Sequence, residues 1–128
     1  MRRVLIVEDD ADISELLTLM VVDAGGEPLR AFAGDEAVAA VAAAGEVAVA
    51  IVDLSVPRLK GSALVAALAA QVAHVVVVSA ARDAELVASA HKVRACFTKP
   101  FDVQALRRCL TELLSGDQSQ RDLPPRTA

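Results

Sequence analysis

Apolar residues in this chain recur with two alternating periods. Val4 to Val7 form an unbroken apolar run, the pattern of a strand buried on both faces. Ile13, Leu16, Leu17, Met20 and Val21 then fall at helical spacing, with Asp12 and Glu15 ahead of them as a capping pair and Gly25 and Gly26 as a stop. The succession repeats four times. Glu27 to Phe32 reads as a short second strand around Pro28, whose missing donor suits a sheet edge, and Gly34 and Asp35 open a helix through Glu36–Ala44 that Gly45 ends. Val47–Asp53 predicts a third strand, Leu54–Gly61 a loop and Ser62–Gln71 a third helix. After a short connection from Gln71 to His74, Ala73–Ser79 predicts a strand, Asp83–His91 a helix and Arg94–Thr98 the fifth strand. The last helix opens near Asp102, with Val103, Leu106, Leu110, Leu113 and Leu114 at helical spacing.

Five strands, each followed by a helix, with strands apolar throughout, predict a parallel sheet covered on both faces. The fold class is α/β, a doubly wound three-layer sandwich. Residues 1–115 make one domain, and residues 116–128, polar and carrying two prolines, read as a disordered tail or linker.

Composition narrows what such a domain does. Of 128 residues, 55% are hydrophobic and 23% charged, a globular balance, and no apolar run approaches the roughly 20 residues a membrane helix needs. No apolar stretch precedes a cleavage site after Arg2 and Arg3, so the expected location is the cytoplasm. A net charge of −4 without a basic cluster argues against direct contact with nucleic acid. The two cysteines, Cys96 and Cys109, suit reduced core thiols better than a disulfide framework.

The chemistry gathers at the carboxyl ends of the predicted strands, where open parallel sheets bind their ligands. Strand one delivers Glu8 and Asp9, strand three Asp53, strand four Ser79, and Lys99 follows strand five. Carboxylates brought together from two strands repel unless a cation offsets them, and hard oxygen ligands favour Mg²⁺, with Mn²⁺ possible. Glu8 to Ala11 occupy the place where glycines would cradle a pyrophosphate, which argues against dinucleotide or nucleoside triphosphate binding. Taken singly, each residue also has a plain structural reading. Asp9 or Asp10 can cap a helix, Asp53 can turn a strand end, Ser79 can cap the next helix and Lys99 can be surface charge. His74, ahead of strand four, and His91, near the end of helix four, read as surface or helix-end residues.

In five separated motifs the chain resembles the receiver domain of two-component response regulators, the CheY-like superfamily, from its first strand to the end of its last helix. They are Glu8 and Asp9 after "VLIV", Asp53 after "VAIV", the segment "DLSVPRLKG" from Asp53 to Gly61, the hydroxyl of Ser79 in "VVVVSA", and "KPF" at Lys99 to Phe101. The resemblance implies a flavodoxin-like (βα)5 fold with strand order 2-1-3-4-5. It implies that Asp53 accepts a phosphoryl group from a phosphohistidine of a histidine kinase or histidine phosphotransfer protein. Mg²⁺ would be held by Asp9 and Asp53, by Glu8 through water and by the backbone carbonyl of Ser55, while Lys99 and Ser79 would contact the phosphoryl oxygens. Such a domain is a signalling module with slow self-dephosphorylation rather than an enzyme in the usual sense.

Departures from the family pattern cluster after the site. Receivers usually carry tyrosine or phenylalanine three residues before the lysine, as part of a switch; here that residue is Cys96, with Phe97 beside it. Lys92, Val93, Arg94 and Ala95 replace the usual glycine and alanine, and helix four reads as clipped. The chain is either a free-standing receiver or the receiver of a longer regulator whose output domain, for example DNA-binding, is not in this sequence. A small metal-dependent phosphohydrolase is a third reading, disfavoured because no insertion is long enough to build a substrate pocket.

Overall fold

The structure is a computed structural model that describes residues 1–115; the expected tail at 116–128 lies outside the described residues. The elements run β1 (Arg3–Val7), α1 (Ala11–Asp23), β2 (Glu27–Ala31), α2 (Gly34–Ala44), β3 (Val47–Val52), α3 (Gly61–Ala69), β4 (Val72–Ser79), α4 (Ala84–Ala90), β5 (Ala95–Thr98) and α5 (Val103–Leu114). All strand pairs are parallel, and the order is β2-β1-β3-β4-β5. The Pro28 strand is therefore at an edge, as its composition predicts. The reversal of winding beside β1 is what separates the helices into two layers.

Alternation along the strands divides the core. Leu5, Val7, Ala50, Val52, Val75 and Val77 face one layer, where α2, α3 and α4 supply Val41, Leu64, Leu68 and Val87. Val4, Ile6, Val49, Ile51, Val76 and Val78 face the other, against Leu17, Met20 and Val21 of α1 and Leu106, Leu110 and Leu113 of α5. Because both faces are covered, the strands have no polar face to show, which explains their unbroken apolar runs. At the amino ends of the strands, Arg2 donates to the carbonyl of Leu113 and Arg3 to that of Ala44. These cations sit where the last carbonyls of α5 and α2 concentrate negative potential.

Two local expectations are corrected. The cap of α1 is Asp10, whose Oδ1 accepts from the Ile13 amide at 3.0 Å, and not the pair Asp12 and Glu15. Asp12 lies in the exposed first turn, and Glu15 instead pairs with Arg30 of β2 at 3.4 Å. The connection from α3 to β4 is the turn at Ala70 and Gln71 and not the segment from Gln71 to His74: the strand begins at Val72, so His74 lies within it, paired in register with Val49. Ala73 and His74 weaken the apolar signal there without breaking the ladder. Cys96 and Cys109 are both free and lie on opposite faces of the sheet, Cys96 against the α2–α3–α4 layer and Cys109, on α5 itself, against the core of the α1–α5 layer. Burial pushes both thiols up.

Candidate functional site

The sheet ladder continues one residue past the strands that carry the site. The Glu8 amide donates to Ala31, the Asp53 amide to Val7 and the Lys99 amide to Ser79, at 3.0, 2.9 and 3.0 Å. Side chains that follow β1, β3 and β5 are thus fixed by backbone bonds to neighbouring strands, so position comes from the scaffold and not from loops. Ser79 is itself the last residue of β4.

Asp53 is the centre of the arrangement. It is 6% exposed, and its Oδ1 accepts from the Ser79 hydroxyl at 2.9 Å and from the Ser55 amide at 3.0 Å. Its Oδ2 accepts from the Lys99 ammonium at 2.9 Å. Ser79, fully buried, also accepts from the Ala81 amide at 3.2 Å, which fixes its oxygen between the two elements. The same ammonium donates to Glu8 Oε1 at 2.7 Å, and the other Glu8 oxygen accepts from the Asp10 amide at 3.0 Å. Among the described residues no buried side-chain polar atom lacks a partner.

The electrostatics are unbalanced. Burial raises the Glu8 carboxyl above its ordinary range, against the opposing hydrogen bonds from Lys99 and the Asp10 amide. For Lys99, burial works to lower the value, and the hydrogen bonds to Glu8 and Asp53 outweigh it, so the ammonium is held above its ordinary range. Glu8, Asp9 and Asp53 each offer a carboxylate oxygen, and these oxygens lie within 4.8 Å of one another. Three carboxylates face one ammonium. A hard divalent cation fits this set on both counts, because every donor is oxygen and the uncompensated charge is negative. Asp9 is exposed while Glu8 and Asp53 are buried, so the cluster opens to solvent on the Asp9 side. Ser55 lies in the turn after β3, its amide engaged with Asp53.

All five side chains singled out in the sequence therefore meet at one end of the sheet, and Ser55 lies beside them. The Lys99–Glu8 contact escapes sequence reasoning. Lys99 lies three strands from Glu8 in sheet order, and only the length of the lysine side chain brings them together. Neither histidine joins the site: His91 caps the end of α4, 2.6 Å from the Ser62 hydroxyl. Cys96 and Phe97 project to opposite faces, and Phe97 packs against the core of the α1–α5 layer. Phe97 thus offers no ring on the side that Cys96 occupies. α4 spans seven residues, and Lys92 after it takes a left-handed backbone (φ 54°), a conformation in which glycine is unstrained.

Residues 4–111 match the family described as response regulator receiver domain. Similar solved structures include a Francisella response regulator 1452 receiver domain, 24% identical, with 88% of this chain and 96% of that chain covered at TM-score 0.76. The Vibrio cholerae chemotaxis protein CheY4 is 26% identical, with 89% and 99% covered at TM-score 0.73. NtrX of Brucella abortus, a longer protein, is 26% identical, with all of this chain covered but 31% of that one, at TM-score 0.77. No curated protein matches the chain.

Proposed function

The chain belongs to the response regulator receiver domain family, and from that premise we propose that Asp53 is the phosphoacceptor of a two-component or phosphorelay system. An Asp53 carboxylate oxygen attacks the phosphorus of a phosphohistidine on a histidine kinase or histidine phosphotransfer protein. The new O–P bond forms as the N–P bond breaks, and the histidine nitrogen leaves with the electron pair. A carboxylate needs no base to activate it, which agrees with a site that contains no histidine.

The observation that carries this reading is the donor set around Asp53. A hydroxyl, a backbone amide and an ammonium converge on one buried carboxylate at 2.9, 3.0 and 2.9 Å. Such donors are positioned to take up phosphoryl oxygens once the carboxylate becomes an acyl phosphate. Lys99 pairs with Asp53 before transfer and with a phosphoryl oxygen after it, while Ser79 moves its hydrogen bond from the carboxylate to the phosphoryl group. Glu8, Asp9, Asp53 and the Ser55 carbonyl would hold Mg²⁺, with Mn²⁺ as substitute. When bound, the metal supplies charge neutralisation to the incoming phosphoryl group. Water later hydrolyses the acyl phosphate slowly, so the domain resets itself without acting as an enzyme on other substrates.

The receiver occupies residues 1–115. The proposed location is the cytoplasm; among the described residues no helix is long and apolar enough to cross a membrane. A second reading, the receiver of a longer regulator, is favoured by the match to NtrX, of which this chain covers 31%. The test is incubation with Mg²⁺ and a small acyl phosphate donor, read by intact mass. One phosphoryl group is expected on the wild type and none on Asp53→Asn; persistent labelling of the variant would remove the assignment.

A further inference from the structure

Arg58, in the loop between β3 and α3, combines two features that no role assigned so far requires. Its backbone is left-handed, φ 71°, a conformation that an unbranched charged residue adopts only under constraint. Its guanidinium spans to another element: Nε donates to Asp35 Oδ2 at 2.8 Å and Nη2 to Glu36 Oε2 at 3.2 Å, both in the first turn of α2. The second Glu36 oxygen accepts from the Phe32 amide at 3.0 Å, so the receiving carboxylate is held from behind. Arg58 holds Asp35 below the usual carboxylate range.

The loop is also seated directly on α2. The Gly34 amide donates to the Pro57 carbonyl at 3.1 Å, and a Cβ on Gly34 would stand 1.7 Å from the Leu59 carbonyl oxygen. At its other end the loop is tied to the site, with the Ser55 amide on Asp53 and the Gly61 amide on the Leu54 carbonyl, 3.0 Å each. Between these ties, Val56 is fully buried. A segment pinned at Ser55, Val56, Pro57 and Arg58 has little freedom left, and the Ser55 carbonyl lies inside it.

We propose that Arg58 is a positioning residue: by grasping Asp35 and Glu36 it fixes the β3–α3 loop, and through it the Ser55 carbonyl, for the metal held by Asp9 and Asp53. This rests on the metal reading given above. The ion pairs are about half exposed and add little to folding stability, so their effect falls on where the loop sits. Charge alone predicts the opposite sign. Removing a cation near an acidic cluster strengthens attraction for Mg²⁺, whereas loosening a ligand weakens it.

The experiment is Mg²⁺ titration of the full chain by calorimetry, with thermal unfolding of each variant measured alongside. Arg58→Asn is the main variant, because asparagine tolerates the left-handed backbone but cannot span to α2. Its Kd for Mg²⁺ is expected to rise about tenfold, the low end of what supporting partners of metal ligands contribute, with thermal stability little changed. Arg58→Lys, which keeps the charge but not the two-pronged grip, is expected in between and serves if the asparagine variant does not fold. Asp35→Asn should weaken binding in the wild type and add nothing in Arg58→Asn. Unchanged or tighter binding by Arg58→Asn overturns the proposal. If wild-type binding is absent, or survives Asp53→Asn, the metal reading itself fails first, and this separates the two.

Discussion

Lys99 donates to Glu8 at 2.7 Å while it holds Asp53 at 2.9 Å, so one ammonium is shared between two buried carboxylates from different strands. The shared cation makes the site a component of the fold before any ligand arrives. Glu8 is 1% exposed and among the described residues has no other cationic partner than Lys99, so Lys99 is what makes its charge tolerable there.

Replacing Lys99 with alanine should therefore destabilise the metal-free protein, by about 2 kcal/mol on the scale of a partly buried pair losing one partner. Mg²⁺ should return much of the loss, because a divalent cation at the same carboxylates offsets the charge that Lys99 no longer does. Urea unfolding with and without Mg²⁺ measures both. A Mg²⁺ increment no larger in Lys99→Ala than in wild type would separate the lysine from the metal-binding carboxylates.

Glu8 makes the opposite trade. Its carboxyl is raised above the ordinary value of 4.5, chiefly by burial, so the folded state holds its proton more tightly than the unfolded chain does. Stability from this group is then largest at low pH and falls as pH rises from 4.5 through the raised folded value, after which it is constant. Lys99 acts in the alkaline range: its contribution is complete below 10.5 and fades as pH climbs through its raised folded value. Glu8→Gln should flatten the acid-side slope and leave the neutral protein at least as stable as wild type, while weakening Mg²⁺ binding. Denaturation midpoints of the two proteins across the acid range, compared with Mg²⁺ titrations at pH 7, test this pairing of gain and loss.

The sequence makes the fold legible because both faces of the sheet are covered. Val4–Val7, Val49–Val52 and Val75–Val78 have no solvent face, so apolar continuity marks them as strands, and alanine-rich helices between them follow from spacing. Where apolar content thins, at Ala73 and His74, the ladder decides the boundary and the pattern does not. The acids of the site are legible for a related reason, since carboxylates at two strand ends have few purely structural uses together. What stays hidden depends on side-chain reach. Nothing local to Lys99 indicates that it touches Glu8, and nothing near Arg58 indicates that its partners are Asp35 and Glu36.

Gly34 is the backbone counterpart of the Arg58 grip. An added Cβ would meet the Leu59 carbonyl oxygen at 1.7 Å, and a backbone atom cannot swing aside as a flexible side chain would. Gly34→Ala must displace the loop or the start of α2, at a cost of about 2 kcal/mol or more. The displaced loop also carries Ser55, so Mg²⁺ affinity should fall with stability in this variant, unlike Arg58→Asn. Thermal unfolding and Mg²⁺ titration of Gly34→Ala read both effects, and wild-type values for either would contradict the close approach.

Cys96 tests how far chemistry and response are separate in this domain. It is half-buried on the edge strand β5, in register with Val77, on the α4-facing side. The site residue nearest along β4 is Ser79, whose register partner is Thr98, so Cys96 lies two residues back from the site. A ring placed at this position by Cys96→Tyr has to fit beside a seven-residue α4, and a larger side chain in a packed layer costs about 1 kcal/mol. None of Asp53, Ser79 or Lys99 has Cys96 as a hydrogen-bond partner. Phosphorylation of Cys96→Tyr by a small acyl phosphate donor should therefore match wild type in rate and extent, while hydrogen exchange in α4 and β5 changes on phosphorylation by a different amount in the two proteins. Impaired labelling would place position 96 in the chemistry, and identical exchange would mean that the cysteine already relays all that an aromatic side chain can.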